Sequence, residues 1–197
     1  MIGRLLHHAP RRPRAAATPS RRRLLAGTAA LVAVVVPTVT ACAPPPAEPA
    51  AAVIRESAPP WDAPRDAISY IRLAGMEELR SGYVAQAKAV AELIVRVDGR
   101  EVEIPAFIGI DRVRSVEAPL HTHDPGGTVW IEHPDELPVT TVGQFFDLWG
   151  VRFDDECLGD ACGDVRVKVD GERLDPELDP RSIRWAPDLV VEIDAQR

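Results

Sequence analysis

Two short segments constrain the fold of this chain more than any others. Leu93, Val95 and Val97 alternate into Asp98-Gly99, and Val102 and Ile104 alternate out of it. Near the C-terminus, Val165, Val167 and Val169 run into Asp170-Gly171, with Leu174 beyond. Alternation is the period of a half-buried strand, and Asp-Gly is the dipeptide of a two-residue type I′ turn, whose central residues both need positive φ. Each segment is therefore predicted to be a β-hairpin. In the first, pairing Val97 with Arg100 sets Val95 opposite Val102 and Leu93 opposite Ile104 on a buried face, with Arg96 opposite Glu101 on the other. Turn chemistry alone accounts for the likeness of the two hairpins better than duplication does.

Further elements fit around them. Thr128 to Glu132 reads as a strand, and Leu189, Val191 and Ile193 alternate in a last one. Thr140 or Thr141 can N-cap a helix from Val142 to Trp149 that Gly150 terminates, with Phe145, Leu148 and Trp149 on one stripe. Ile68, Ile71 and Leu79 predict a helix from Asp66 to Arg80, with Asp66 as N-cap and Ser81-Gly82 as stop. Tyr83 to Ala91 is open between helix and strand. The expected class is α+β: mostly antiparallel β with hairpins and one or two packed short helices.

The N-terminal part has a different character. Ser20 to Leu25 reads Ser-Arg-Arg-Arg-Leu-Leu, close to a twin-arginine export signal, and the apolar run from Leu24 to Val36 follows it. That run falls short of the roughly 20 apolar residues of a membrane span. It leads to Val39-Thr40-Ala41-Cys42, which resembles a bacterial lipobox with Cys42 as the lipidated residue. The organisation expected is a lipoprotein signal peptide over 1–41, an Ala/Pro-rich tether over 42–65, and one α+β domain over 66–197. The domain would sit at the cell membrane, lipid-anchored on the extracytoplasmic side.

Seven arginines are the only charged residues before Cys42, so cleavage takes the formal charge from −7 to −14. Such an acidic domain is not expected to bind nucleic acid or anionic headgroups, which require basic surface. The membrane is then a partner through the lipid alone, and any protein partner at the cell surface is unspecified. Cys157 and Cys162 remain after Cys42, and two cysteines at this spacing outside the cytoplasm predict a disulfide. Redox catalysis is disfavoured, because the pair is not Cys-x-x-Cys and is crowded by Asp154, Asp155, Glu156, Asp160 and Asp164. That acidic loop has no EF-hand spacing and reads as solvated.

His121, His123 and His133 are all the histidines of the domain. In a strand, His121 and His123 project to one face, as a metal-binding His-x-His pair does. Asp124 follows at once and Glu132 lies in the next strand, so a turn at Pro125-Gly126-Gly127 would bring these groups together. Imidazole with carboxylate suits Zn, Cu or Fe. The candidate metal residues are thus His121, His123, Asp124 and Glu132, with Zn or Cu as the cofactor expected. A structural reading, with His123 or Asp124 hydrogen-bonded to the turn backbone, stays open beside it. A cupin would need Glu four or five positions after the second His, where this chain has Gly127 and Thr128.

The strings LHTHDPGGTVWIEHP, TTVGQFFDLWG and CLGDAC, in this order, resemble a family of uncharacterised bacterial extracytoplasmic proteins and lipoproteins. Its pattern is approximately LHTHDxxGxxHxE, a T-L-G-Q-F-F-x-x-W-G helix, a C-x4-C loop and a final hairpin. The resemblance spans Leu93 to Ile193 and implies no established activity. His121, His123, Asp124, Gly127 and Glu132 match. Trp130 stands where the pattern carries a further His, and Lys88 and Val90 stand where relatives carry a histidine-rich segment.

No serine elbow, P-loop or acid–base pair at a recognisable spacing is present, so no catalytic residue is assigned. The expectation is a non-enzymatic binding or interaction domain with weak metal binding at the His-Thr-His-Asp turn. The alternative is a metal-dependent enzyme with His121 and His123 as ligands.

Overall fold

The structure is a computed structural model and describes residues 47–197. The expected export segment and Cys42 lie outside the described residues. In chain order the elements are α1 (Ile68–Leu73), β1 (Leu79–Arg80), β2 (Ala87–Val97), β3 (Arg100–Glu101), β4 (Ile110–Asp111), β5 (Val116–Glu117) and β6 (Leu120–His121). After them come β7 (Thr128–His133), α2 (Val142–Trp149), β8 (Asp164–Val169), β9 (Glu172–Arg173), a 3-10 turn (Pro180–Ser182) and β10 (Val190–Gln196). The class is α+β, as the alternation and the capped helix predicted. Among the described residues no helix is long and apolar enough to cross a membrane.

The main sheet runs β6-β7-β2-β10-β8-β9, with β3 paired to β2, and a small sheet runs β1-β5-β4. The long strand β2 organises the main one. Its odd-numbered residues, Ala89 to Val97, are buried with Val129, Ile131, Val191 and Ile193 in the core. Its even-numbered residues Lys88 to Arg96 line the other face. Both hairpins form: Asp98 and Gly99 have φ of 51° and 73°, Asp170 and Gly171 of 51° and 81°, as a type I′ turn requires. Val97 pairs with Arg100 and Arg96 with Glu101, and the Val102 N–H reaches the Val95 carbonyl at 2.9 Å.

Beyond that point the expected pairing of Leu93 with Ile104 does not occur. The Leu93 N–H instead donates to the Gly127 carbonyl at 2.9 Å, and Gly126 donates to Ile104. Gly127 makes this approach with φ +91°, and a Cβ there would collide with the Leu93 carbonyl. The sheet is also mixed rather than purely antiparallel. β10 runs parallel to β2, Val191 beside Leu93 and Ile193 beside Val95, because the chain between them crosses over through α2 before returning.

α2 has the predicted bounds. Thr141 Oγ1 accepts from the Gln144 N–H, and the Gln144 side chain accepts from the Thr141 N–H, a capping box worth about 1 kcal/mol. Gly150, at φ +68°, ends it with paired bonds from Gly150 to Asp147 and from Val151 to Phe146. α1 is shorter than the segment Asp66–Arg80 expected for it. Ala67 rather than Asp66 occupies its N-cap, without a side-chain bond, and the Ile68 N–H is taken by Asp111 Oδ2. The left-handed Gly75 then turns the chain out, with Gly75 bonded back to Arg72 and Met76 to Ile71, so Leu79 is free to enter β1.

The tether expected over 42–65 ends too late. Trp61 is buried, packs edge-on against Trp149 at 5.5 Å and accepts from its indole N–H at 3.0 Å. Arg55 bridges beside Val151, donating to the Gly150, Asp62 and Trp149 carbonyls. One tryptophan is enough to dock a segment whose other residues bury little. Segment 83–91, open in sequence, becomes the first half of β2 from Ala87 onward.

Candidate metal centre

The antiparallel pairing of β6 with β7 sets Leu120 opposite Ile131 and His121 opposite Trp130. Leu120 and Ile131 point into the core, so His121, Trp130 and Glu132 share the opposite face, and the turn 125–127 brings His123 over the same place. Lys88 and Val90 face it from β2, where Lys88 lies directly across from Glu132 and Val90 from Trp130.

His121 is completely buried. The backbone around it is cut to fit: a Cβ on Gly109 would lie 2.6 Å from the Leu120 carbonyl and 3.3 Å from the His121 Cβ. Thr122, between the two histidines, locks the preceding loop to them. Its hydroxyl donates to the Pro105 carbonyl at 2.8 Å and accepts from the Ile108 N–H at 3.0 Å, while its own backbone bonds to Ile108 and Phe107.

His121 Nδ1 lies 2.8 Å from the Ala118 carbonyl. A carbonyl only accepts, so Nδ1 carries the hydrogen and Nε2 presents its lone pair. Burial lowers the His121 pKa below its ordinary 6.5 and the nearby His123 adds to this, while the Ala118 bond and the Glu117 and Glu132 charges oppose it only in part. The ring is therefore neutral, with Nδ1 fixed by a backbone carbonyl and the Nε2 lone pair presented to the site, an arrangement that suits a metal ligand.

Nε2 of His121 is 3.1 Å from Nε2 of His123, and Glu132 Oε2 lies 3.7 Å from the first and 3.8 Å from the second. Three atoms at these separations lie on a circle of radius about 2.1 Å, so one point is equidistant from all three at the length of a Zn–N or Zn–O bond, about 2.0–2.2 Å. Among the described residues, His121, His123 and Glu132 form the single group of three such ligands. Lys88 Nζ holds the other carboxylate oxygen, Oε1, at 2.7 Å and lies 4.9 Å from the centre of the Trp130 ring. Trp130 in turn meets His123 edge-on at 5.2 Å. Tyr83 is close enough for Glu117, Glu132 and Glu77 to reinforce burial in raising its phenol pKa, and its hydroxyl is buried with no hydrogen-bond partner among the described residues.

The structure thus unites three of the four sequence candidates. Asp124 is exposed on the turn and outside the group. His133 also stays out, as strand alternation requires, and pairs with Glu77 at 2.7 Å. Lys88, Gly109 and the Ala118 carbonyl were not singled out for the site by sequence reasoning. None of them left a short-range signal: Lys88 is one of three charged residues in β2, with Glu92 and Arg96, and only the β2–β7 register sets it against Glu132.

Cys157 and Cys162 form a disulfide. The acidic loop around it is partly neutralised, with Arg152 on Asp154, Arg197 on Asp160 and Arg166 on Asp164. Compared with known proteins, the chain matches no family model, no curated protein sequence and no solved structure.

Proposed function

We propose that this chain is a lipid-anchored extracytoplasmic protein whose domain binds a divalent transition metal through His121 Nε2, His123 Nε2 and Glu132 Oε2. The observation that carries the reading is the common point about 2.1 Å from all three atoms. Two imidazoles and one carboxylate suit Zn or Cu and discriminate against Ca and Mg, which take oxygen ligands. In the metal-free arrangement His121 Nε2 is an acceptor, so the His123 Nε2–H donates to it. A metal at His123 Nε2 would require that hydrogen to move to Nδ1, a change of tautomer with no net proton lost from the neutral ring.

The test is metal analysis of the full chain folded in its native host, with the His121→Ala/His123→Ala double variant as control. About one Zn or Cu per chain, lost in the variant, is expected; equal metal in both removes the site. Anchoring rests on the lipobox and on the resemblance to exported lipoproteins. It predicts that Cys42→Ala moves the protein from the membrane fraction to the soluble one.

A metal-dependent enzyme is the second reading, favoured by one observation: three protein ligands leave a coordination position open, and 42% of the His123 side chain is exposed. Hydrolysis of an activated ester that needs the metal and is lost in the double variant would support it over simple binding.

A further inference from the structure

We infer that Lys88 is an internal competitor of the metal for Glu132, built into the sheet so that the centre loads weakly and exchanges its ion. The inference rests on the metal reading proposed above and adds to it how tightly the ion is held.

Two observations and one electrostatic argument carry it. First, Lys88 faces Glu132 directly across the β2–β7 ladder, and its ammonium sits 2.7 Å from Oε1. The carboxylate is therefore already satisfied by a cation before any metal arrives, and Oε2 is turned toward the two imidazoles. Second, a metal on Oε2 places a double positive charge beside this ammonium within the same carboxylate. Like charges at such a distance repel strongly even at the effective dielectric of a protein surface. Third, Lys88 has somewhere to go. Its side chain is 55% exposed and its ammonium already lies 4.9 Å from the Trp130 ring centre, a cation–π position it can keep when it leaves the oxygen.

The pair contributes little to folding, because solvent screens an ion pair whose lysine is half exposed. Its placement matters more for the site than for the fold. Held by Lys88, Glu132 is preorganised as a one-oxygen ligand, and the ion it receives competes with a resident cation. That combination suits capture and release of a metal rather than permanent retention.

The experiment is competition of the full chain with a chromophoric chelator for Zn2+, comparing the wild type with Lys88→Met, Lys88→Gln and Lys88→Arg. Loss of the charge in Lys88→Met and Lys88→Gln is expected to tighten Zn2+ binding about tenfold or more and to slow its release. Lys88→Arg, which keeps the charge, stays within about threefold of wild type. Lys88→Gln keeps a hydrogen-bond donor near Oε1, so it separates charge from positioning even where Lys88→Met misfolds. Equal or weaker binding in the folded neutral variants overturns the competitor role. If wild-type Zn2+ binding is absent, or survives in the His121→Ala/His123→Ala variant, the metal centre itself fails and the inference with it.

Discussion

His121 Nδ1 is held 2.8 Å from the Ala118 carbonyl while its Nε2 faces His123 at 3.1 Å, so the two imidazoles of the pair have unequal positions in the fold. His121 is wholly buried and back-bonded, whereas His123 has 42% of its side chain in solvent. Substitution is expected to separate stability from binding. His121→Ala loses the metal and about 2–3 kcal/mol, through a cavity and an unpaired carbonyl. His123→Ala loses the metal at less than about 1 kcal/mol. Urea denaturation beside metal stoichiometry checks the pair, and equal destabilisation by the two variants contradicts the asymmetry.

Gly109 supports that buried histidine from behind. Its φ is +74°, and a Cβ would meet the Leu120 carbonyl at 2.6 Å and the His121 Cβ at 3.3 Å. Gly109→Ala is thus expected to destabilise the domain by about 2 kcal/mol or more. It also displaces His121, so Zn2+ affinity falls although no ligand is removed. Gly99→Ala, at a similar φ of +73° but with nothing within 4 Å, is the control for backbone strain alone and leaves Zn2+ binding unchanged.

Local chemistry made half of this arrangement readable and topology hid the rest. The capping box at Thr141, the left-handed stop at Gly150 and the two Asp-Gly turns are decided by residues within a few positions, and they appear where the residue types placed them. The parallel partnership of β2 and β10 joins residues almost a hundred positions apart, and alternation carries no information about which strand a strand will meet. At the site, the His-x-His period placed both imidazoles on one face. Asp124 follows His123 directly, yet adjacency does not bring it into the group that His121, His123 and Glu132 form. Lys88 reaches Glu132 only through the β2–β7 register, which no short-range pattern specifies.

Asp111 is the clearest source of pH-dependent stability. It is fully buried, and its two oxygens accept from the Ile68 N–H at 3.1 Å and from the Val113 and Arg114 N–H groups at 3.0 and 2.9 Å. Burial pushes this carboxyl up, but the backbone bonds from Arg114 and Ile68, with the neighbouring Asp66 side chain and the Arg114 charge, outweigh it and leave the pKa below its ordinary 3.8. A folded-state pKa below the unfolded one means that the unfolded chain takes the proton first. The stabilisation is complete above about pH 4 and is lost as pH falls through the folded value. Asp111→Asn is expected to cost about 2–4 kcal/mol at pH 7. Its gap from wild type should shrink below pH 4, and a gap of constant size from pH 7 to 3 in urea denaturation would falsify the assignment.

Trp130 occupies the remaining side of the centre, opposite His121 in the ladder, two residues from Glu132 on the same face, and 5.2 Å from the His123 ring. Trp130→His is expected to supply a fourth nitrogen to an ion already held by two imidazoles and a carboxylate. Zn2+ binding should tighten about tenfold or more as the set approaches the four ligands of a closed site. The same change removes the ring beside Lys88, so the metal-free protein loses about 1 kcal/mol of cation–π and packing stabilisation. Opposite shifts in Zn2+ affinity and metal-free stability are therefore the signature of a ligand position filled by an aromatic ring. Co2+ substitution gives an independent readout, because an added nitrogen ligand changes the visible absorption of the bound ion. Unchanged affinity with an unchanged Co2+ spectrum would place residue 130 outside the coordination sphere.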